Sequence, residues 1–170
     1  MRSRIVVRDM TDEFPADAAA IVQRHIEDEH GYLSWLNTRV DAIERGRIVM
    51  TIPYDEKLTN TVSPPTIHGG IAATLIDTAG GIALRTMLDN PLSGGVATIN
   101  LNVNYLRRAS GDLTAVAEVV RAGGSVGVST ITVVSTDPKE DADVARRQSP
   151  STDWDDAVAT GQGAYRLFRD

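Results

Sequence analysis

The stretch TIHGGIAATLIDTAGGIAL, residues 66–84, decides the reading of this chain. Ile71, Leu75, Ile82 and several alanines recur at helical spacing, so residues 68–88 are expected to form one long helix. Two features do not suit an ordinary helix. Asp77 stands in the middle of the apolar run, and Gly80 and Gly81 follow it. A glycine inside a helix costs about 1 kcal/mol relative to alanine, and aspartate is also a poor interior residue. The acid therefore marks a candidate site. The glycines mark a place where helix backbone approaches its neighbour closely.

Upstream, residues 12–30 read as a helix, with Pro15 or Asp17 at its start and Gly31 at its stop. From Tyr32 the pattern turns strand-like: YLSWLNTRVDAI, a turn at ERG, then RIVMTIPY. DEKLTNTVSPP is a loop, in which Pro64 and Pro65 hold an extended entry to the long helix. Downstream, VATINLNVNYLRRA alternates. Ile99, Leu101, Val103 and Tyr105 are assigned to one face, and Thr98, Asn100, Asn102 and Asn104 to the other. LTAVAEVVR and SVGVSTITVVS form a hairpin, residues 137–156 a long polar loop, and AVATGQGAYRLF a last strand. Runs of strands about one long helix give an α+β fold, an antiparallel sheet wrapped around a buried helix with an extra helix before it. Residues 1–170 make one domain, 1–31 being its N-terminal helical segment.

Composition narrows the function. A net charge of −6 without a basic stripe argues against a nucleic-acid partner. There is no cysteine, which removes disulfides and thiolate metal sites. His25 and His30 lie five apart, off a shared helical face, so no metal is expected there. No apolar run reaches the ~20 residues of a membrane span, and the first residues lack the apolar core of a signal peptide. The expectation is a cytoplasmic protein with neither membrane nor nucleic acid as partner. Gly123-Gly124-Ser125-Val126-Gly127 fits the G-x-S-x-G nucleophile elbow, but β-branched strand follows it and no histidine comes after His68.

Taken together, His68-Gly69-Gly70, Asp77 eight residues after Gly69, the strand ending NVNYLRRA and the last strand AVATGQGAYRLF resemble the hotdog-fold acyl-CoA thioesterases of the PaaI type. The resemblance runs from about residue 32 to 168. It implies hydrolysis of an acyl-CoA thioester with no separate cofactor, coenzyme A being part of the substrate. Asp77 would be nucleophile or general base. The backbone amides of Gly69 and Gly70 would polarise the carbonyl, and Asn60 would stand near it or near the attacking water. Thr98 would help position that water, His68 is read as a positioning or substrate-binding residue of the N-terminal loop rather than a general base, and Arg107 and Arg108 are candidate contacts to the phosphates of coenzyme A. The family forms dimers, often paired into tetramers. Two other readings share the fold: an acyl-thioester hydratase or dehydratase, and a nonenzymatic acyl-CoA-binding protein.

Helix geometry bears on the assembly. Gly69 and Asp77 are separated by ~12 Å along a helix axis. One carbonyl cannot readily touch both from the same chain, whereas two antiparallel helices across a two-fold axis would bring one chain's Gly69 to the other's Asp77.

Overall fold

The computed structural model describes residues 14–136 and 156–169. Almost all of the expected 137–156 loop therefore lies outside the described residues. Helix α1 (Ala16–Arg24) continues through a π-helical turn (His25–Glu29) and is followed by α2 (Gly31–Trp35). Strands β1 (Arg39–Glu44) and β2 (Arg47–Ile52), a 3₁₀ turn (Glu56–Leu58) and the long helix α3 (Gly69–Arg85) come next. Strands β3 (Gly95–Tyr105), β4 (Asp112–Ala122), β5 (Val126–Thr136) and β6 (Ala157–Phe168) complete the chain. All six strands form one antiparallel sheet in the order β1-β2-β4-β5-β6-β3, with β3 at one edge. This is the α+β architecture expected from the sequence.

The expected start of β1 needs correction. Residues 31–35 are helical, and Gly31 opens α2 instead of ending the preceding helix. The break falls one residue earlier, at His30, whose backbone is extended and whose Nδ1 accepts a 3.4 Å hydrogen bond from the Leu33 amide. Leu33 and Leu36 are both buried, at the three-residue spacing of one helical face. Asn37, at φ 55°, then turns the chain into β1. Short aliphatic and aromatic runs do not separate helix from strand by pattern alone.

The core lies between α3 and the sheet. Ala72, Leu75, Ile76, Ala79, Ala83 and Leu84 are buried on α3. They join one apolar cluster with Ile48, Met50, Leu113, Ala115, Ile131 and Val133 of the strands, while Leu84 packs with Tyr165 and Leu167. Small residues set the helix–sheet spacing. A Cβ on Gly80 would run into the Tyr165 hydroxyl and lie 2.7 Å from Ser129 Oγ. A Cβ on Gly127 would strike Leu84, and one on Gly161 would strike Ile76. Glycine at 80 forgoes about 1 kcal/mol of helix propensity. Overpacking a close-packed core typically costs about 1–3 kcal/mol, so glycine is the smaller loss.

Gly161→Ala is expected to destabilise the protein by about 1–3 kcal/mol, because Ile76 is fully buried and the Asn102 carbonyl would stand 3.1 Å from the new methyl group. Gly124→Ala, with nothing within 4 Å, is expected to stay within about 0.5 kcal/mol of the parent. Urea midpoints of the two variants measure both.

Candidate active site

The residues around the start of α3 are fixed by a short closed loop. The His68 amide donates to the Leu58 carbonyl at 2.8 Å, and the Asn60 amide to the Thr66 carbonyl at 2.9 Å. Thr59 and Ile67 form a β-bridge, and the Ile67 amide donates to the Ala109 carbonyl at 2.8 Å. The two ends of the loop are thereby pinned together, and its extra length, including Pro64 and Pro65, bulges outward into solvent. Asn60 and Gly69 consequently line the same cavity, of about 420 Å³, with Tyr105, Arg107 and Arg108. Asn60 Oδ1 is buried there without a hydrogen-bond partner among the described residues. A buried amide oxygen left without a partner in a protein is uncommon.

His68 caps the helix. Its Nδ1 accepts from the Gly70 amide at 3.0 Å, and its carbonyl accepts from the Ile71 amide at 2.9 Å. The Gly70 N–H is thereby engaged by the cap. No acceptor engages the Gly69 N–H among the described residues. That amide stands at the positive end of a 17-residue helix, where backbone donors are left over. Tyr105 backs it, with its hydroxyl donating to the Gly69 carbonyl at 3.0 Å. A Cβ on Gly69 would approach the Tyr105 ring to 3.0 Å. The two arginines differ. Arg108 is tied to the loop, donating from Nη2 to the Pro64 carbonyl at 2.7 Å and from Nε to Thr66 Oγ1 at 3.2 Å. These bonds from Nε and Nη2 brace the loop. The Arg107 side chain has no polar partner among the described residues.

Asp77 lies two turns along α3 and lines a different cavity, also of about 420 Å³. Thr98 Oγ1 donates to its Oδ1 at 2.7 Å. No lysine or arginine pairs with it among the described residues, so it is not one half of a structural ion pair. The cavity wall opposite α3 comes from the N-terminal helical segment, through Ile26, Tyr32 and Leu33. Tyr32 reaches α3 itself, its hydroxyl lying 3.0 Å from Thr74 Oγ1.

Thr98 reaches Asp77 because β3 is irregular. Its register against β6 shifts between Thr98 and Asn100. Ile99 is the extra residue and is 58% exposed. A bulge of one residue flips the faces on either side of it. Strict alternation would leave Thr98 with Asn100, Asn102 and Asn104. The bulge instead turns it inward, directly opposite Tyr165 of β6. Tyr165 was not singled out by the sequence reading. Its hydroxyl donates to the Asp77 backbone carbonyl at 3.0 Å. Burial, and then the charge of Asp77, raise the phenol's pKa, with a smaller opposing effect from a hydrogen bond to Ser129. The phenol therefore keeps its proton and remains a donor. The signal in the sequence was Gly163 two residues before Tyr165 on the same strand face, a glycine clearing room for a large side chain.

Within one chain, then, the structure joins Asn60, Gly69 and Arg107 in one cavity and Asp77 with Thr98 in another. A family model described as "Thioesterase superfamily" matches residues 65–142, a span that holds Gly69, Asp77 and Thr98. A Halobacterium salinarum protein named "Putative esterase" is 49% identical over 155 residues, covering 91% of this chain and 95% of that protein. Among solved structures, a thioesterase family protein from Silicibacter pomeroyi is similar at 25% identity and a TM-score of 0.66, covering 86% of this chain and 98% of that one. The PaaI protein of the E. coli phenylacetic acid degradation operon is similar in fold, at 21% identity and a TM-score of 0.64, covering 86% of this chain and 91% of that one.

If His68 serves as a cap, His68→Ala should cost about 1 kcal/mol of stability, and His68→Asn, whose side chain also caps well, should recover most of it. Denaturant midpoints at constant slope read the difference.

Proposed function

The chain belongs to the hotdog thioesterase superfamily, and on that premise we propose that it hydrolyses an acyl-CoA thioester to the free acid and coenzyme A, in the manner of the PaaI type. The observation that carries this reading is Asp77: a carboxylate in mid-helix, without a cationic partner among the described residues, hydrogen-bonded by Thr98 and opening on a cavity.

The chemistry follows from the groups present. Thioester hydrolysis needs a polarised carbonyl and an activated nucleophile. The Gly69 N–H, at a helix N-terminus and without an acceptor, suits the oxygen that becomes negative in the tetrahedral intermediate; one such donor is worth about 3 kcal/mol of barrier. Asp77 accepts the proton of a water as its oxygen bonds to the carbonyl carbon. When the C–S bond breaks, that proton passes to the leaving thiolate. In the alternative course the carboxylate itself attacks the carbonyl carbon, the C–S bond breaks with coenzyme A leaving as the thiolate, and water then opens the resulting anhydride to give the free acid and restore Asp77, its released proton passing to the thiolate. Asn60, whose buried oxygen has no partner among the described residues and which lines the same cavity as Gly69, would hold the water or the substrate near the carbonyl. Arg107 is the candidate for the phosphates of coenzyme A. The acyl group would occupy the Asp77 cavity, against Ile26, Leu33 and Tyr32.

A hydratase would need an acid paired with a histidine. His25 and His30 do line the Asp77 cavity. Nδ1 of each is engaged, in His30 as the cap of α2 and in His25 at 3.4 Å from Glu29, and neither ring is hydrogen-bonded to Asp77 among the described residues. Release of free thiol without an enoyl product, measured across an acyl-CoA panel, separates hydrolysis from hydration, and no thiol release at all would favour a binding protein.

The two half-sites call for a second copy. On the edge strand β3, Thr98 touches Asp77 and Tyr105 touches Gly69. Antiparallel pairing of β3 with itself, about a two-fold axis between Leu101 and Asn102, sets Thr98 opposite the partner's Tyr105. Asp77 then faces the partner's Gly69. The exposed Ile99 and Tyr105 would be covered by the same contact.

Asp77→Asn is expected to lower kcat by at least about 100-fold with folding retained, the usual scale for losing a general base; near-normal turnover would remove Asp77 from the chemistry.

Subunit mixing tests the shared site. Asp77→Ala and Gly69→Val should each be nearly inactive. In a mixed dimer one site has both residues intact and the other has both lesions. Random exchange makes about half the dimers mixed, each with one working site of two, so about a quarter of parental activity should return. Mixed dimers that are present by mass spectrometry yet inactive would assign Gly69 and Asp77 to one chain's own site.

A further inference from the structure

We infer that Tyr165 is a positioning residue for the hydrolysis: its hydroxyl holds the backbone carbonyl of Asp77 while Thr98 holds the carboxylate, and the two together fix where that carboxylate stands. The inference rests on Asp77 being the reacting group proposed above.

Four independent features converge on this contact. Tyr165 is only 1% exposed and donates at 3.0 Å to the Asp77 carbonyl. Tyr165 and Thr98 are direct cross-strand partners on β6 and β3, so one rung of the sheet grips Asp77 at both its ends. The bulge that turns Thr98 inward comes immediately after that rung. Finally, Gly80 and Gly163 both leave space for the phenol, since a Cβ at either would run into the Tyr165 hydroxyl.

Backbone satisfaction alone does not explain the hydroxyl. The Asp77 carbonyl lies inside α3, where the amide four residues on already serves it. A neighbouring contact shows what simple fastening looks like. Fully buried Ser129 of β5 donates to the Gly80 carbonyl at 3.1 Å, attaching α3 to the sheet without touching Asp77. The bland account of Tyr165 is that a buried phenol needs any acceptor. In that account Tyr165→Phe, which keeps the ring and deletes the hydroxyl, is harmless to catalysis. If the hydroxyl positions Asp77, the same change loosens the carboxylate, and misplacement of about 1 Å is enough to cost up to about 100-fold in rate.

The test compares the parent, Tyr165→Phe, Ile48→Val and Asp77→Asn with one acyl-CoA that the parent hydrolyses, following kcat, KM and thermal midpoint. Tyr165→Phe is expected to lower kcat about tenfold with KM within about twofold. Ile48→Val, a fully buried change on β2, is expected to keep kcat within about twofold whatever its effect on the midpoint. Parental kcat in Tyr165→Phe would overturn the inference. So would equal losses of kcat in Tyr165→Phe and Ile48→Val that follow their losses of stability. An active Asp77→Asn enzyme would remove the premise instead, so failure of the site and failure of the positioning role are told apart.

Discussion

The close approach of α3 to the sheet is the constraint on which the rest of the structure depends. A helix lying on a sheet ordinarily keeps the distance its side chains impose. Here glycine on the helix at 80, and on the strands at 127, 161 and 163, lets the surfaces meet where Tyr165, Leu84 and Ile76 fill the gap. At that spacing a strand hydroxyl reaches a helix carbonyl, and a threonine on β3 reaches a carboxylate on α3. A larger separation would leave Asp77 in the cavity without support. The helix-propensity cost at Gly80 is therefore linked to the candidate site, though Gly80 itself contacts nothing in the cavity chemistry.

Much of this was legible in the sequence. The long helix and the six strands, the last of them Ala157–Phe168, follow from periodicity, because each has a face buried against the core and so must repeat at its own period. The prominence of Asp77 was legible for a related reason: an acid in an apolar helical run is out of place unless something uses it. The start of β1 was not legible. YLSWL holds apolar residues that suit either a strand or a single helical turn, and only the extended backbone at His30 and the burial of Leu33 and Leu36 together decide for the helix.

The site was read less fully than the fold, and for a definable reason. Alternation in INLNVNY is so regular that it conceals the bulge at Ile99, and one extra residue reverses the face of everything before it. Thr98 was singled out through resemblance while its face was misassigned through periodicity. Gly70 and Arg108 show another limit. The Gly70 N–H is engaged by the His68 ring, and Arg108 Nε and Nη2 by the Pro64–Thr66 loop. Which hydrogen bonds a group has already made is a property of the folded surroundings, and no spacing rule records it.

The same geometry that builds each half-site also separates them. Gly69 must stand at the end of a helix, since only there is an amide left over. Asp77 must stand where the sheet can brace it, two turns further on. The helical rise of 1.5 Å per residue then sets them ~12 Å apart, and no side-chain rotamer removes that distance. A straight helix cannot fold back on itself, so on the proposed reading the other half of the site comes from another helix running the opposite way. The edge strand supplies the means: it carries Thr98 near one end and Tyr105 near the other, and an antiparallel pair of such strands exchanges the ends. An unpaired eleven-residue edge would otherwise be an aggregation hazard, with Ile99 and Tyr105 exposed on it. Self-pairing of that edge would thus remove a liability and complete the site through a single contact.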